Sequence, residues 1–563
     1  MKTNNILLIA LAACTVTANA QDLTTEITVE SSVEAELPPA SPLQSVFPSL
    51  LQRPATDIKL RPAQYNEAVD YATAAGNGAP ALFAGTQTPD RHRGYVWAGY
   101  FPAYNVSAAA GYKIIDTETT LTGISASFDG YSYSPEDVTV SNNTFRAQAY
   151  AGHRFDRGAT VSADVSYMYS AINSPVAFGK HDINAFDLSV GVSGEGAVEY
   201  KASAAYSRFG LDNELVPGMT WYDEFDPSDD RFTIKGEAAH RFGEERRQRI
   251  ALGVDFDLLH RHGIRTSENS YEYEPYKHSS TGLLRFNPAY EISSQKAMLR
   301  IGLKADIAVN PDNKAFHIAP DVMLAWMPRH EFTAYATVGG GEQFRTLRDL
   351  YAYSPFAPNY AASSRSFTPF NGRIGVTVQP LSSFSAGLWG GYSSTRRMPM
   401  PTVLGYNTVT FAPVDLSGWQ MGIEASYSYN RYISASINGR LYQQGYCKGS
   451  ADNIDRARAV LGIELKSSPV ERLNLTVAYE LRACRAYYSS FAIIDNNADA
   501  PVMIHEKYGM GNISDLSAGG NYRLTDAISV FAKVENILCR RTLILPGVQS
   551  RRMHGLVGAS LLF

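Results

Sequence analysis

The sequence predicts an all-β fold, a transmembrane antiparallel β-barrel of about 22 strands. Three observations point there. Apolar residues recur at every second position along many short segments, and charges of both signs recur on the opposite face. Tight polar turns and long variable stretches alternate between these segments. The last segment runs from Met553 to Phe563 and ends on the phenylalanine. Side chains alternate across a strand, so one face of each segment suits lipid and the other suits a watery lumen.

Composition agrees with such a wall. Charged residues are only 19% of the chain, yet mean hydropathy is slightly negative at −0.20, because a lipid face and a lumen face are averaged together. The net charge of −5 and the lack of a basic, aromatic-interleaved patch argue against nucleic acid as a partner. Lys2, the apolar run Ile6 to Ala13 and Ala18-Asn19-Ala20 before Gln21 read as a signal peptide over residues 1–20. A second cleavage pattern, Leu11-Ala12-Ala13-Cys14, would instead leave Cys14 lipidated. Beyond this segment no apolar stretch reaches the roughly 18–20 residues that a membrane helix needs.

The strands are legible one by one. Val161, Ala163, Val165, Tyr167 and Tyr169 alternate with Ser162, Asp164, Ser166 and Met168, and Ile250, Leu252, Val254, Phe256 and Leu258 with Ala251, Gly253, Asp255 and Asp257. Leu299, Ile301, Leu303 and Ala305 alternate with Arg300, Gly302, Lys304 and Asp306, and Leu473, Leu475, Val477, Tyr479 and Leu481 with Asn474, Thr476, Ala478, Glu480 and Arg482. Tight turns are expected at Asp116-Thr117, Asp156-Arg157-Gly158, Gly194-Glu195-Gly196, Gly243-Glu244-Glu245, Ser293-Ser294-Gln295, Pro328-Arg329-His330, Pro380-Leu381-Ser382, Asn430-Arg431, Pro469-Val470-Glu471 and Thr525-Asp526. These ten turns join twenty strands, and the segment ending at Phe563 makes one more. Single-chain bacterial barrels have even strand numbers, so a further strand is assigned to His92–Phe101, with Tyr95, Trp97 and Phe101 suited to an interfacial aromatic girdle.

The long outer loops are then Gly210–Asp230, Arg265–Ser279, Gln343–Arg365, Arg397–Asp415 and Tyr488–Asn512. The acidic stretch Asp223, Glu224, Asp226, Asp229 and Asp230 lacks the ligand spacing of a calcium hand and reads as a solvated loop, so no metal is assigned. Cys447, Cys484 and Cys539 remain after the signal, too few and too far apart for a zinc site. No nucleophile elbow, zinc-protease helix or phosphate loop is present, so no enzyme activity and no cofactor are expected. His260 and His262 fall at a strand end where a solvated interface accounts for them.

The stretch Leu516–Phe563 contains Tyr522-Arg523-Leu524-Thr525-Asp526, then Val530-Phe531-Ala532-Lys533-Val534-Glu535-Asn536-Ile537-Leu538, then Pro546-Gly547 before the last strand. This succession resembles the closing hairpin and final strand of the TonB-dependent receptors in the form found in Bacteroidetes. The resemblance covers roughly residues 91–563 and implies an outer-membrane location in a Gram-negative cell. It also implies that Val557, Ala559, Leu561 and Phe563, on the face meeting outer-membrane lipids, are the insertion signal read by the barrel-assembly machinery.

The N-terminal part departs from the family. Residues 21–90 contain Pro38-Pro39, Pro42, Pro48, Pro54 and Pro62, which disfavour continuous helix or central strand, and they are too few for a full plug domain. The expectation is a short Pro-rich periplasmic segment and a plugless relative of the family. Glu26, Ile27, Thr28, Val29 and Glu30 form a β-prone alternation that resembles the TonB box, the segment that pairs with TonB by strand addition.

A wide barrel with nothing in its lumen would leak, so the N-terminal segment, inward-folded outer loops or another protein should occupy it. Polar residues assigned to the lumen include Asp255, Arg300, Lys304, Asp306, Glu480, Arg482, Lys533 and Glu535. The expected function is solute binding or transport across the outer membrane. The competing reading is a non-transporting subunit or scaffold of an outer-membrane complex, with a surface lipoprotein or assembly machinery as partner.

Overall fold

The computed structural model describes residues 92–563 apart from 103, 118, 135–138, 157, 175–178, 215–226, 244–246, 265–276, 295, 311–312, 330, 354–364, 382, 405–407, 430–431, 447–456, 494–501 and 546–547. The signal, Cys14, the Pro-rich segment and Glu26–Glu30 lie outside the described residues, as does Cys447.

Twenty-two strands form one closed antiparallel barrel, the number the turn pattern implies. Each pairs with its neighbours in the chain, from Gly94–Phe101 and Asn105–Asp116 to Ile528–Glu535 and His554–Leu562. The first and last of these then pair with each other, Tyr95 opposite Leu562 and Tyr100 opposite Val557. Full closure leaves no sheet edge, the condition for a sheet to cross a membrane. All ten tight turns fall between paired strands. Gly158 (φ 81°) and Gly243 (φ 80°) take the left-handed conformation that two of these turns require.

The outward face is apolar. Ile301, Leu303, Ile374, Trp419, Met421 and Ile423 are among the large exposed hydrophobics, and each sits beside inward-facing neighbours of smaller or polar type. Short turns lie at one end and long loops at the other, which orients the barrel with the former toward the periplasm.

Two expectations are corrected. Tyr95 and Trp97 do not face the lipid interface, because the exposed residues of their strand are Val96, Ala98 and Tyr100. Trp97 instead packs edge-on against Phe531 at 5.9 Å, and a Cβ at Gly111 would meet the Tyr95 ring. The stretch Arg397–Asp415 is also largely strand rather than loop. Phe384–Leu404 and Thr408–Tyr429 stay paired to Leu404 opposite Thr408, well beyond the roughly 9–11 residues that cross the hydrocarbon core. Much of Tyr488–Asn512 likewise belongs to the paired strands Ala486–Ile493 and Val502–Gly509, which follow the positive φ of Cys484 (60°).

Candidate functional site: a hairpin folded into the lumen

The strands Phe332–Phe344 and Arg365–Leu381 pair regularly until Gly339, where the register shifts and the hairpin bends inward. Glycines make the bend. Gly341 has φ 125°, and a Cβ on Gly340 would lie 2.3 Å from the Thr368 carbonyl oxygen. Only glycine tolerates both demands.

Past the bend the chain runs along the inner wall, held by side chains from four strands of that wall. Lys304 donates to the Gly340 carbonyl (3.2 Å), and the Asp306 carboxylate accepts from the Glu342 amide (2.6 Å). Arg285 bridges Asp306 and the Glu342 carbonyl (2.7 and 2.5 Å). Phe344 enters an apolar cluster with Leu259, Leu283 and Ala308, beneath the Arg231 guanidinium. Arg261 and Asp229 then form a buried, doubly hydrogen-bonded pair, their side chains 1% and 3% exposed. Arg261 also donates to the Arg345 carbonyl, and Asp229 accepts from the Leu347 amide, each at 2.6 Å.

The pair delivers the chain to a seven-residue helix, α1 (Leu347–Tyr353). Thr346 and Asp349 cap it reciprocally, the Asp349 amide bonding to the threonine hydroxyl and the Thr346 amide to the Asp349 carboxylate. Leu347 and Leu350 are buried against Ile172, Ile183, Ala185, Phe209, Leu211 and Met510, with Tyr351, Tyr487, Leu543 and Ile544 at the margin. Arg348 donates to both carboxylate oxygens of Asp187 (2.7 and 2.9 Å) and stands over the Phe209 ring. Burial pushes the Tyr351 phenol up. The loop that carries Leu543 and Ile544 is held to the same place by Arg485, which donates to both of their carbonyls.

At the base of the hairpin, Glu342 is fully buried beside His317, Arg365 and Arg397 (2.9, 3.5 and 3.7 Å), and His317 stacks on Phe367 at 4.0 Å. Nearer the periplasm a ladder of ion pairs crosses the wall from Arg241 through Glu199, Arg249, Glu291 and Arg300 to Asp321.

The polar residues assigned to the lumen from sequence fall into these arrangements unequally. Asp306 and Lys304 hold the hairpin, and Arg300 belongs to the ladder. Asp255 stands in register between Lys235 and Arg285. Glu480 bonds to Arg482 two residues along its own strand, and Lys533 pairs with Glu535, which also meets His554 at 2.9 Å. In the last strand Val557, Ala559 and Leu561 are exposed, as is Phe563 just past its end, and Phe563 stacks on Tyr112 while its carbonyl accepts from the Arg93 and Gly94 amides. His260 bonds to Ser280 and His262 to Asp230. Cys484 and Cys539 are free thiols. Within the acidic stretch, Asp229 and Asp230 serve Arg261 and Tyr206, and Asp223, Glu224 and Asp226 lie outside the described residues. Sequence reading missed Arg261, Asp229 as a buried partner, Asp187, Arg348 and α1; the run Gly339-Gly340-Gly341 was the local signal for the bend.

No protein-family model and no curated protein sequence matches the chain. Solved structures do. A mutant of the ferric enterobactin receptor PfeA from Pseudomonas aeruginosa aligns with TM-score 0.62 at 11% identity, over 84% of this chain and 80% of that one. The ferripyoverdine receptor of the outer membrane of Pseudomonas aeruginosa, bound to ferripyoverdine, aligns with TM-score 0.63 at 9% identity, over 84% and 72%. At such identity the likeness is one of fold. The apolar outer belt and full closure place the barrel in the outer membrane, and the chain has the twenty-two-strand barrel fold of the TonB-dependent receptors.

Proposed function

We propose that the protein binds or transports a solute across the outer membrane, with passage controlled by the infolded hairpin at the outer end and by the short N-terminal segment in place of a full plug. The observation that carries this reading is the clamp on the hairpin. A barrel is already held by its strand ladders, so a segment fastened across the inner wall by Asp306, Arg285, Arg261 and Asp229 adds control of the lumen rather than a wall. The fold supports it, being that of receptors for ferric enterobactin and ferripyoverdine. Pairing of Glu26–Glu30 with TonB by strand addition belongs to the same reading.

Conductance in planar bilayers tests it. Deleting Gln21–Asp90 should raise single-channel conductance, and deleting α1 as well should raise it further. A barrel equally closed in all three forms, isolated with a stable protein partner and giving no solute-dependent growth phenotype, would support the scaffold reading instead.

A further inference from the structure

The inner wall beneath α1 has a composition that a water-facing lumen does not call for. Ile172, Ile183, Phe209 and Leu211 form an apolar floor, with the Asp187 carboxylate on one side and the Asp229 carboxylate at the end. What lies on this floor is matched to it group by group. Leu347, Leu350 and Tyr351 cover the apolar part, the Arg348 guanidinium meets Asp187 and the Phe209 ring, and one amide meets Asp229. A seven-residue helix has little stability of its own in water, so its place is set by the recess rather than by its own propensity.

We infer that this recess is a binding site for a short amphipathic peptide, or a solute of the same chemistry, bearing one guanidinium or ammonium beside an aliphatic or aromatic face. The helix α1 is its resting, intramolecular occupant. An incoming ligand must displace α1 and replace its contacts: apolar area on Ile183 and Phe209, a cation at Asp187, and a hydrogen-bond donor at Asp229. The ladder between Asn313–Arg329 and Phe332–Phe344 ends at Val338 opposite Val322, so on that side the hairpin past the glycine bend can leave without breaking strand pairing. The inference rests on the transport reading only for its consequence, the opening of the lumen, and not for the binding itself.

The test uses the full chain in detergent micelles and a fluorescein-labelled, C-terminally amidated peptide with the sequence of Thr346–Tyr353. A variant carrying Leu347→Ser, Leu350→Ser and Tyr351→Ser vacates the recess. It should bind the peptide at least about tenfold more tightly than the unaltered chain, whose recess is already filled. Adding Asp187→Asn should weaken binding by about threefold to fivefold, as should replacing the peptide's arginine by glutamine. Equal binding by the vacated and unaltered chains, or indifference to Asp187→Asn, overturns the proposal.

If the triple variant does not assemble, Leu350→Cys with Cys447, Cys484 and Cys539 changed to serine gives a second route. Saturating peptide should raise its labelling by a bulky maleimide, and no rise overturns the proposal. Bilayer recordings separate the two ideas. Peptide binding that leaves conductance untouched keeps the recess and removes the transport role.

Discussion

At Arg261 and Asp229 two charges have left water, and each keeps the other's place tolerable. Removing one partner of such a pair leaves an uncompensated buried charge and costs roughly 3–5 kcal/mol. Arg261→Ala is therefore expected to lower the stability of the barrel by an amount of that order, measured by guanidinium unfolding in micelles. Arg241→Ala offers the contrast. Its side chain is 51% exposed beside Glu199, and solvent screening keeps its loss within about 1 kcal/mol. Sequence placed Asp229 in a solvated acidic loop and gave Arg261 no role, whereas both lie on strands and are buried. It did not show which charge meets which, since Asp229 and Arg261 come together only through the register of two adjacent strands.

At the scale of the element, the hairpin Phe332–Leu381 depends on its bend. A valine at Gly340 would drive side-chain atoms into the Thr368 carbonyl and the Ala319 methyl. Gly340→Val is expected to straighten the hairpin and withdraw α1 from the wall. The measurement is labelling of Leu350→Cys, in a background free of other cysteines, by a bulky maleimide. Leu350 is buried in the unaltered chain and should react several times faster in the Gly340→Val form; unchanged protection would count against the bend as the determinant.

Strands and tight turns were legible because alternation and turn chemistry are local. An inward-folded outer loop was one of three expected occupants of the lumen, but which loop was not legible. Gln343–Arg365 reads as an outer loop like the others, and Leu347 and Leu350 acquire their burial from Ile172, Ile183 and Phe209, far away in the chain. Trp97 shows a related limit: an aromatic residue near a strand end suits the lipid interface by type, but the strand's parity turns it inward onto Phe531.

For the whole molecule, the wall has two solvents, and a substitution should report which one it meets. Ile374 is 67% exposed on the outer face in the middle of its strand. Ile374→Arg should destabilise the barrel in phospholipid bilayers by about 2–4 kcal/mol if it lies at the midplane, and less toward either interface. Thr377, of opposite parity on the same strand, should accept arginine with little loss. Urea titrations of both variants in liposomes make the comparison, and equal losses would refute the assignment of faces.

The seam between Gly94–Phe101 and His554–Leu562 joins the first described strand to the last. It is the contact of greatest sequence separation in the barrel, so its loop-closure entropy is the largest and its formation the slowest. A slip of one residue at any intervening ladder would turn the faces of every strand beyond it inside out. Phe563, stacked on Tyr112 with its backbone bonded to Gly94, therefore sits where an error made anywhere else becomes visible. The join acts as a parity check on the whole ring: a single one-residue slip at any ladder before it would bring the wrong faces together there.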